Sequence, residues 1–192
     1  MAMSFHDVER LQAFYPNNKI ELREGKLIIM SPSDFVSSEI GSRFIVFLSN
    51  WVFKHNAGRI ADSSAGFRMP NGDLLSPDVS FVSRERLKQA PRSYADVVPE
   101  LIVEVKSSTD RIRELEQKIA LFIQQGVQVS LLIDPDKRTV RVYRANSLRK
   151  DAEGEEDVFP ISILQNGDTL TIPDLFPGWE LPIEQLWTPK YE

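Results

Sequence analysis

The stretch Pro99-Glu100-Leu101-Ile102-Val103-Glu104-Val105-Lys106 decides how the rest of the chain is read. It is a short apolar run rich in β-branched residues, which is the pattern of a buried strand. Set into its end are one carboxylate and one amine, two residues apart. Side chains on a strand alternate between faces, so Glu104 and Lys106 are expected on one face, with Val103 and Val105 on the other. Acids and lysines enter a core only when paired or used. Upstream, Ser76-Pro77-Asp78-Val79-Ser80-Phe81-Val82 places an acid at the start of a second apolar strand. An Asp beside a Glu-x-Lys strand is an arrangement that metal-dependent phosphodiesterases use. The alternative for the same residues is a surface ion pair at a strand end.

Working outward, Ser107-Ser108-Thr109-Asp110 offers helix caps. A helix to Gln125 follows, with Ile112, Leu115, Ile119, Phe122 and Ile123 inward, and Gly126 closes it. Gln128 to Ile133 is a further buried strand, and Asp134-Pro135-Asp136-Lys137 turns into Thr139 to Tyr143. Strand, helix, strand over 100–133 forms a crossover unit, so its two strands are expected to be parallel.

Before the central stretch, Ser4 caps a helix over 4–15, and 20–30 reads as a hairpin about Glu24-Gly25. Ser31-Pro32-Ser33 opens a helix to about Lys54, with Ile40, Phe44, Phe47, Leu48 and Trp51 as its apolar stripe. Gly58–Ser64 and Gly66–Met69 read as extended, and 83–90 as a short polar helix. Residues 146–157 are charge-rich and read as a surface loop. Short strands near 158–164 and 169–172 precede a tail whose Leu175, Phe176, Trp179, Leu186 and Trp187 pack back on the body.

The 192 residues suit a single domain over 1–192, with a core of about 20–145 and a C-terminal part over 146–192. Composition is that of an ordinary globular protein, 42% hydrophobic and 27% charged. The absence of cysteine excludes a disulfide framework and thiolate metal sites, and fits a reducing cytoplasm. No run approaches about 18 apolar residues, so no membrane span is expected, and the N-terminus lacks a secretory pattern. A net charge of −5 argues against a constitutive, non-specific DNA binder. It does not exclude a nuclease, whose carboxylates are themselves negative and whose basic patches are local. Two histidines, His6 and His55, far apart in sequence, give no His-based zinc site.

Pro77-Asp78 with Glu104-Val105-Lys106 resembles the PD-(D/E)XK signature of restriction-endonuclease-like nucleases. A longer ordered set is similar to one large bacterial family of uncharacterised restriction-endonuclease-like proteins. It comprises Ala61-Asp62-Ser63-Ser64-Ala65-Gly66-Phe67, Asn71-Gly72, Ser76-Pro77-Asp78, Glu104-Val105-Lys106-Ser107-Ser108, Lys118 with Gly126-Val127, and Asp134-Pro135. The resemblance covers roughly residues 20–188. It implies an α/β (α+β) fold, a mixed sheet flanked by helices in one domain, and Mg²⁺- or Mn²⁺-dependent hydrolysis of DNA phosphodiester bonds.

On that resemblance Asp78 and Glu104 hold the metal, and Lys106 holds the attacking water or the transition-state charge. A helical Glu often completes the metal shell in the superfamily, which points to Glu39; the same residue also suits a solvated pair with Arg43. Lys118 lies on a helix stripe with Phe122 and Gln125. Related nucleases place a Lys or Gln with a Tyr there, so Lys118 is either a site residue or a helix-surface lysine. The aromatic here is Phe122, which donates no hydrogen bond. Such folds often act as dimers, since duplex cleavage needs two sites, so a homodimer is also implied. Two other readings stand beside the nuclease: a nuclease-fold interaction or regulatory module without activity, and hydrolysis of another phosphate ester.

Overall fold

The computed structural model describes residues 3–16, 18–150 and 156–192. In chain order the elements are α1 (Phe5–Phe14), β1 (Lys19–Arg23), β2 (Lys26–Met30), α2 (Phe35–Lys54), β3 (Gly58–Asp62), β4 (Phe67–Arg68), β5 (Leu74–Leu75), β6 (Val79–Ser83) and β7 (Leu101–Val105). There follow α3 (Ile112–Gln124), β8 (Val129–Asp134), β9 (Thr139–Tyr143), β10 (Leu148–Lys150), β11 (Glu156–Val158), β12 (Ser162–Leu164), β13 (Thr169–Thr171) and β14 (Glu180–Pro182).

A six-stranded sheet in the order β12-β9-β8-β7-β6-β3 forms the centre. β7 and β8 pair in parallel, as the crossover through α3 requires, and the other neighbours are antiparallel. The result is the mixed α+β sheet flanked by helices that the sequence implied. Both β7 and β8 are buried along their whole length, so they read as continuous apolar runs.

Alternation along β7 sorts its side chains between two cores. Leu101, Val103 and Val105 join Ile40, Phe44, Leu48 and Val52 of α2, together with Phe176, Trp179, Leu186 and Trp187 of the returning tail. Ile102 faces the opposite way, with Ile119, Phe122 and Ile123 of α3. Glu104 has the parity of Ile102 and is carried to the α3 side. A smaller sheet, β2-β1-β5-β4, brings Ile20 and Leu22 against Val8 of α1 and Leu74.

Helix starts follow their caps. Ser4 and Asp7 close α1 reciprocally, with Ser4 N donating to Asp7 Oδ2 at 2.8 Å. α2 begins at Phe35 because Asp34 accepts from Ser37 N at 3.0 Å, a few residues after the Ser31 start expected. The short helix expected over 83–90 is a run of turns instead. There Arg59 ties down Leu87 and Lys88 by their carbonyls at 3.0 and 2.8 Å, and Pro91 follows. Within the expected loop over 146–157, β10 and β11 pair as a hairpin; its residues 151–155 lie outside the described residues. Among the described residues no helix is long and apolar enough to cross a membrane.

Candidate active site

The two acids singled out in the sequence come together across neighbouring strands. Val79 of β6 pairs with Val103 of β7, and continuing that antiparallel register by one step sets Asp78 opposite Glu104. Asp78 stands just before β6, and its Oδ2 accepts from Val105 N at 2.8 Å. Its Oδ1 lies 3.9 Å from Lys19 Nζ. Both acids line one cavity of about 720 Å³, with Lys19, Arg23, Ser76, Tyr94, Asp110 and Lys118 also on its walls.

Lys118 lies at the floor of this cavity, 2% exposed, and Glu104 beside it is 3% exposed. Its Nζ is 2.7 Å from Glu104 Oε1, 3.0 Å from Glu21 Oε1, and donates to Ser76 O at 3.0 Å. Three oxygens thus surround the ammonium, and Glu104 Oε1 is held by charge at short range without an aligned hydrogen bond. Glu21 is itself tied to Arg23 Nε at 2.6 Å and accepts from Ser76 N at 2.9 Å. A lysine from α3, an acid from β7 and an acid from β1 therefore lock three parts of the chain together.

Burial governs the titration of this group. It pushes the Glu104 carboxyl up to about 7; Lys118 pulls the other way, and the neighbouring Asp78 charge adds to the rise. Burial lowers the Lys118 ammonium, but Glu104 and Glu21 outweigh it and hold it above the usual lysine value. Burial likewise raises Glu21, yet Lys118, Arg23 and Lys19 bring it below the ordinary carboxylate range. Lys19 is lowered, first by burial and then by Lys118.

Two residues expected at the site are directed elsewhere. Lys106 stands one residue beyond β7, where its N–H donates to Ile133 O at 2.9 Å. Its Nζ donates to Asp136 Oδ2 at 2.8 Å and to Ser107 O at 3.1 Å, and it does not line the cavity. The strand ends before the alternation that would have placed it beside Glu104, and the acid-rich turn after β8 supplies a nearer counter-charge. Glu39 lies 3.7 Å from Arg43 on α2, whose guanidinium also donates to Gln185 O at 2.9 and 3.1 Å. Glu39 likewise does not line the cavity. Among the described residues no group of three or more His, Asp or Glu side chains is arranged to hold a metal ion, so the Asp78, Glu104 and Glu39 shell is not assembled.

The sequence reading missed Glu21 and Lys19. Glu21 lies between Ile20 and Leu22 in a hairpin strand, where alternation alone assigns it to solvent. The charge in the strand was the one signal, and the lysine that explains it is remote in sequence.

A mixed sheet with a buried acid–lysine pair opening on a cleft agrees with the restriction-endonuclease-like fold that the sequence resemblance implied. Residues 5–184 match the family model described as "Uma2: Putative restriction endonuclease", and the chain belongs to that family. The structure is similar to the crystal structure of a putative nuclease belonging to DUF820 from Anabaena variabilis ATCC 29413. The TM-score is 0.70 at 22% identity, covering 87% of this chain and 88% of that one, a likeness of fold. A weaker match, TM-score 0.35 at 12% identity, covers 68% of this chain and 12% of a chain in the cryoEM structure of a DrdV–DNA complex; it is too slight to define a shared fold. No curated protein matches the chain.

Proposed function

We propose that the protein is a divalent-metal-dependent nuclease that hydrolyses phosphodiester bonds of DNA in the cavity floored by Glu104 and Lys118. The observation that carries this reading is the buried Glu104–Lys118 pair lying next to Asp78 at an open cavity. Burying two ions costs several kcal/mol each, and a fold gains little stability from doing so, which favours a use for them.

The donor set fits a hard cation. Mg²⁺ binds through one or two carboxylates plus substrate phosphate and keeps several waters. Asp78 and Glu104 supply two carboxylates, and the fully buried Glu104 Oε1 has the Lys118 ammonium at 2.7 Å but no aligned hydrogen bond. Asp78 and Glu104 would hold Mg²⁺ or Mn²⁺, which when bound supplies Lewis acidity toward the phosphate.

The chain's own groups do the rest. Lys118 takes the role that the Glu-x-Lys spacing suggested for Lys106: it fixes Glu104 and keeps a point charge under the phosphate. Glu21, held by Arg23 and Ser76 N, keeps Lys118 protonated and in place. Lys19 and Arg23 on the cavity wall offset charge on an incoming polyanion.

The test is cleavage of plasmid, linear duplex, single-stranded DNA and RNA with Mg²⁺ or Mn²⁺, comparing wild type with Glu104→Gln and Lys118→Met. Metal-dependent cleavage of DNA that both variants lose is the expected result. Wild-type inactivity on all four at high protein concentration would overturn the reading.

A further inference from the structure

Lys19, Glu21 and Arg23 share one face of β1, because alternate residues of a strand point the same way. Ile20 and Leu22 between them take the other face and pack with Val8 and Leu74. The charged face is turned inward: Glu21 is wholly buried, and Lys19 and Arg23 line the active-site cavity.

The cations around this cavity differ in what their donors already meet. Lys118 is closed off at the floor, with oxygens of Glu104, Glu21 and Ser76 all within 3.0 Å of its Nζ. Arg23 donates to Glu21 Oε2 at 2.6 Å. Arg111 is 83% exposed, with Glu114 at 3.9 Å. Lys106 is held by Asp136 and Ser107 O and does not line the cavity. Lys19 is unlike all of these. Its side chain is 25% exposed, so it is sheltered from bulk water yet reachable from the cavity. Its Nζ makes no hydrogen bond among the described residues. The acid paired with it is Asp78, whose Oδ1 at 3.9 Å is beyond hydrogen-bonding range, while Asp78 Oδ2 is taken by Val105 N. An ammonium carries three donors, and here all three are free beside a candidate metal-binding acid.

We infer, on the nuclease reading, that Lys19 is a catalytic residue whose ammonium donates to a non-bridging oxygen of the scissile phosphate. There it holds the charge that gathers as the ester bond breaks, which is more than a general offset of a polyanion's charge. In the reaction a water oxygen bonds to phosphorus and the bond to one ester oxygen breaks. The water releases a proton, the departing oxygen takes one up, and Lys19 keeps its own. Lys118 acts from beneath by fixing Glu104, and Lys19 makes the contact that the buried amine cannot reach. A lysine suits this contact as a compact point charge with three rotatable donors on a flexible stem. The hairpin fixes where that stem starts, since Lys19 pairs with Met30 and the adjacent Ile20 is buried in the small core.

The chain has no cysteine, so Lys19→Cys provides a single thiol. Alkylation with 2-bromoethylamine restores a lysine-like ammonium there, and iodoacetamide leaves a neutral group of similar size. The test measures single-turnover DNA cleavage by wild type, Lys19→Met and the two alkylated forms of Lys19→Cys. DNA affinity in chelator and the rise of melting temperature with Mg²⁺ or Mn²⁺ are measured alongside. Lys19→Met is expected to slow cleavage roughly 100-fold or more, as loss of one preorganised donor to a transition-state oxyanion does. Its DNA affinity is expected to stay within about three-fold, and its metal-dependent rise to persist. The aminoethylated form is expected to recover most of the wild-type rate, and the neutral form none of it. Lys19→Met cleaving at the wild-type rate, a loss confined to DNA affinity, or an aminoethylated form no faster than the neutral one would overturn the assignment. Disappearance of the metal-dependent rise in Lys19→Met would also overturn it, making Lys19 a support for Asp78. Wild-type inactivity on every substrate would remove the nuclease reading and this role together, whereas wild-type cleavage matched by Lys19→Met would remove the role alone.

Discussion

Lys118 Nζ lies 2.7 Å from Glu104 Oε1, and both residues are almost wholly buried. The pair joins the helix of the crossover to the strand that begins it, at the floor of the cavity. Its worth is asymmetric: keeping it contributes little net stability, whereas removing one partner strands a buried charge at a cost of about 3–5 kcal/mol.

Lys118→Met is therefore expected to abolish cleavage and to destabilise the metal-free protein by about 3 kcal/mol at pH 8. Glu104 escapes part of that cost at low pH by taking up a proton, so the loss at pH 5 is expected to be smaller. Urea melts at the two pH values measure the difference. An equal loss at both would mean that Glu104 is not the charge left behind.

Glu104 also sets a pH dependence in the metal-free wild type. Its folded value of about 7 stands above the ordinary 4.5, so the folded protein holds a proton that the unfolded chain releases more readily. Stability from this group is complete below pH 4.5 and is lost as pH rises through 7. A shift of that size amounts to roughly 3 kcal/mol, and Glu104→Gln is expected to flatten the profile by that order. Denaturant midpoints taken from pH 4.5 to 8 in chelator check it, and superimposable profiles would reject it.

Much of this was legible in the sequence because it depends on local pattern. Continuous apolar runs gave β7 and β8, and strand, helix, strand over 100–133 gave their parallel pairing. Asp78 and Glu104 followed from one acid at each of two strand ends. What the sequence did not show depends on where a strand stops and on charges remote in the chain. Lys106 belongs by spacing to the face of Glu104, yet β7 ends at Val105 and Asp136 captures the amine. Glu21 has the pattern of a solvent-facing hairpin residue, and only the packing of the small sheet against α3 brings it to Lys118.

The two lysines separate experimentally. Asp136 is 70% exposed, so its pair with Lys106 is a surface contact contributing less than about 1 kcal/mol. Lys106→Met is expected to keep cleavage within about two-fold and stability within about 1 kcal/mol, unlike Lys118→Met. Single-turnover cleavage of both variants decides between them. A Lys106→Met loss as deep as that of Lys118→Met would return the role to the Glu-x-Lys lysine.

The acids separate in the same way. Glu39→Gln removes only its contact with Arg43 at 3.7 Å and is expected to leave activity unchanged. Glu21→Gln leaves Lys118 with one fewer anion and is expected to lower the cleavage rate at least ten-fold while substrate binding holds. Rate and DNA affinity measured together check this, and a rate unaffected by Glu21→Gln would confine the site to Asp78, Glu104 and Lys118.

Metal linkage supplies a readout independent of cleavage. An ion that binds only the folded protein raises its stability by about 2.7 kcal/mol at 100 times its dissociation constant. Mg²⁺ or Mn²⁺ is expected to raise the wild-type melting temperature with concentration. Asp78→Asn and Glu104→Gln each remove a charge while nearly keeping shape, and each is expected to abolish that rise. Asp78→Asn retains an oxygen able to accept from Val105 N, so its metal-free form is expected to fold as wild type does. Lys118→Met removes the cation that now offsets Glu104, so ion binding is expected to persist or tighten while cleavage is lost. A wild-type melting curve indifferent to both ions, with Asp78→Asn and Glu104→Gln behaving alike, would mean that these carboxylates do not hold a metal.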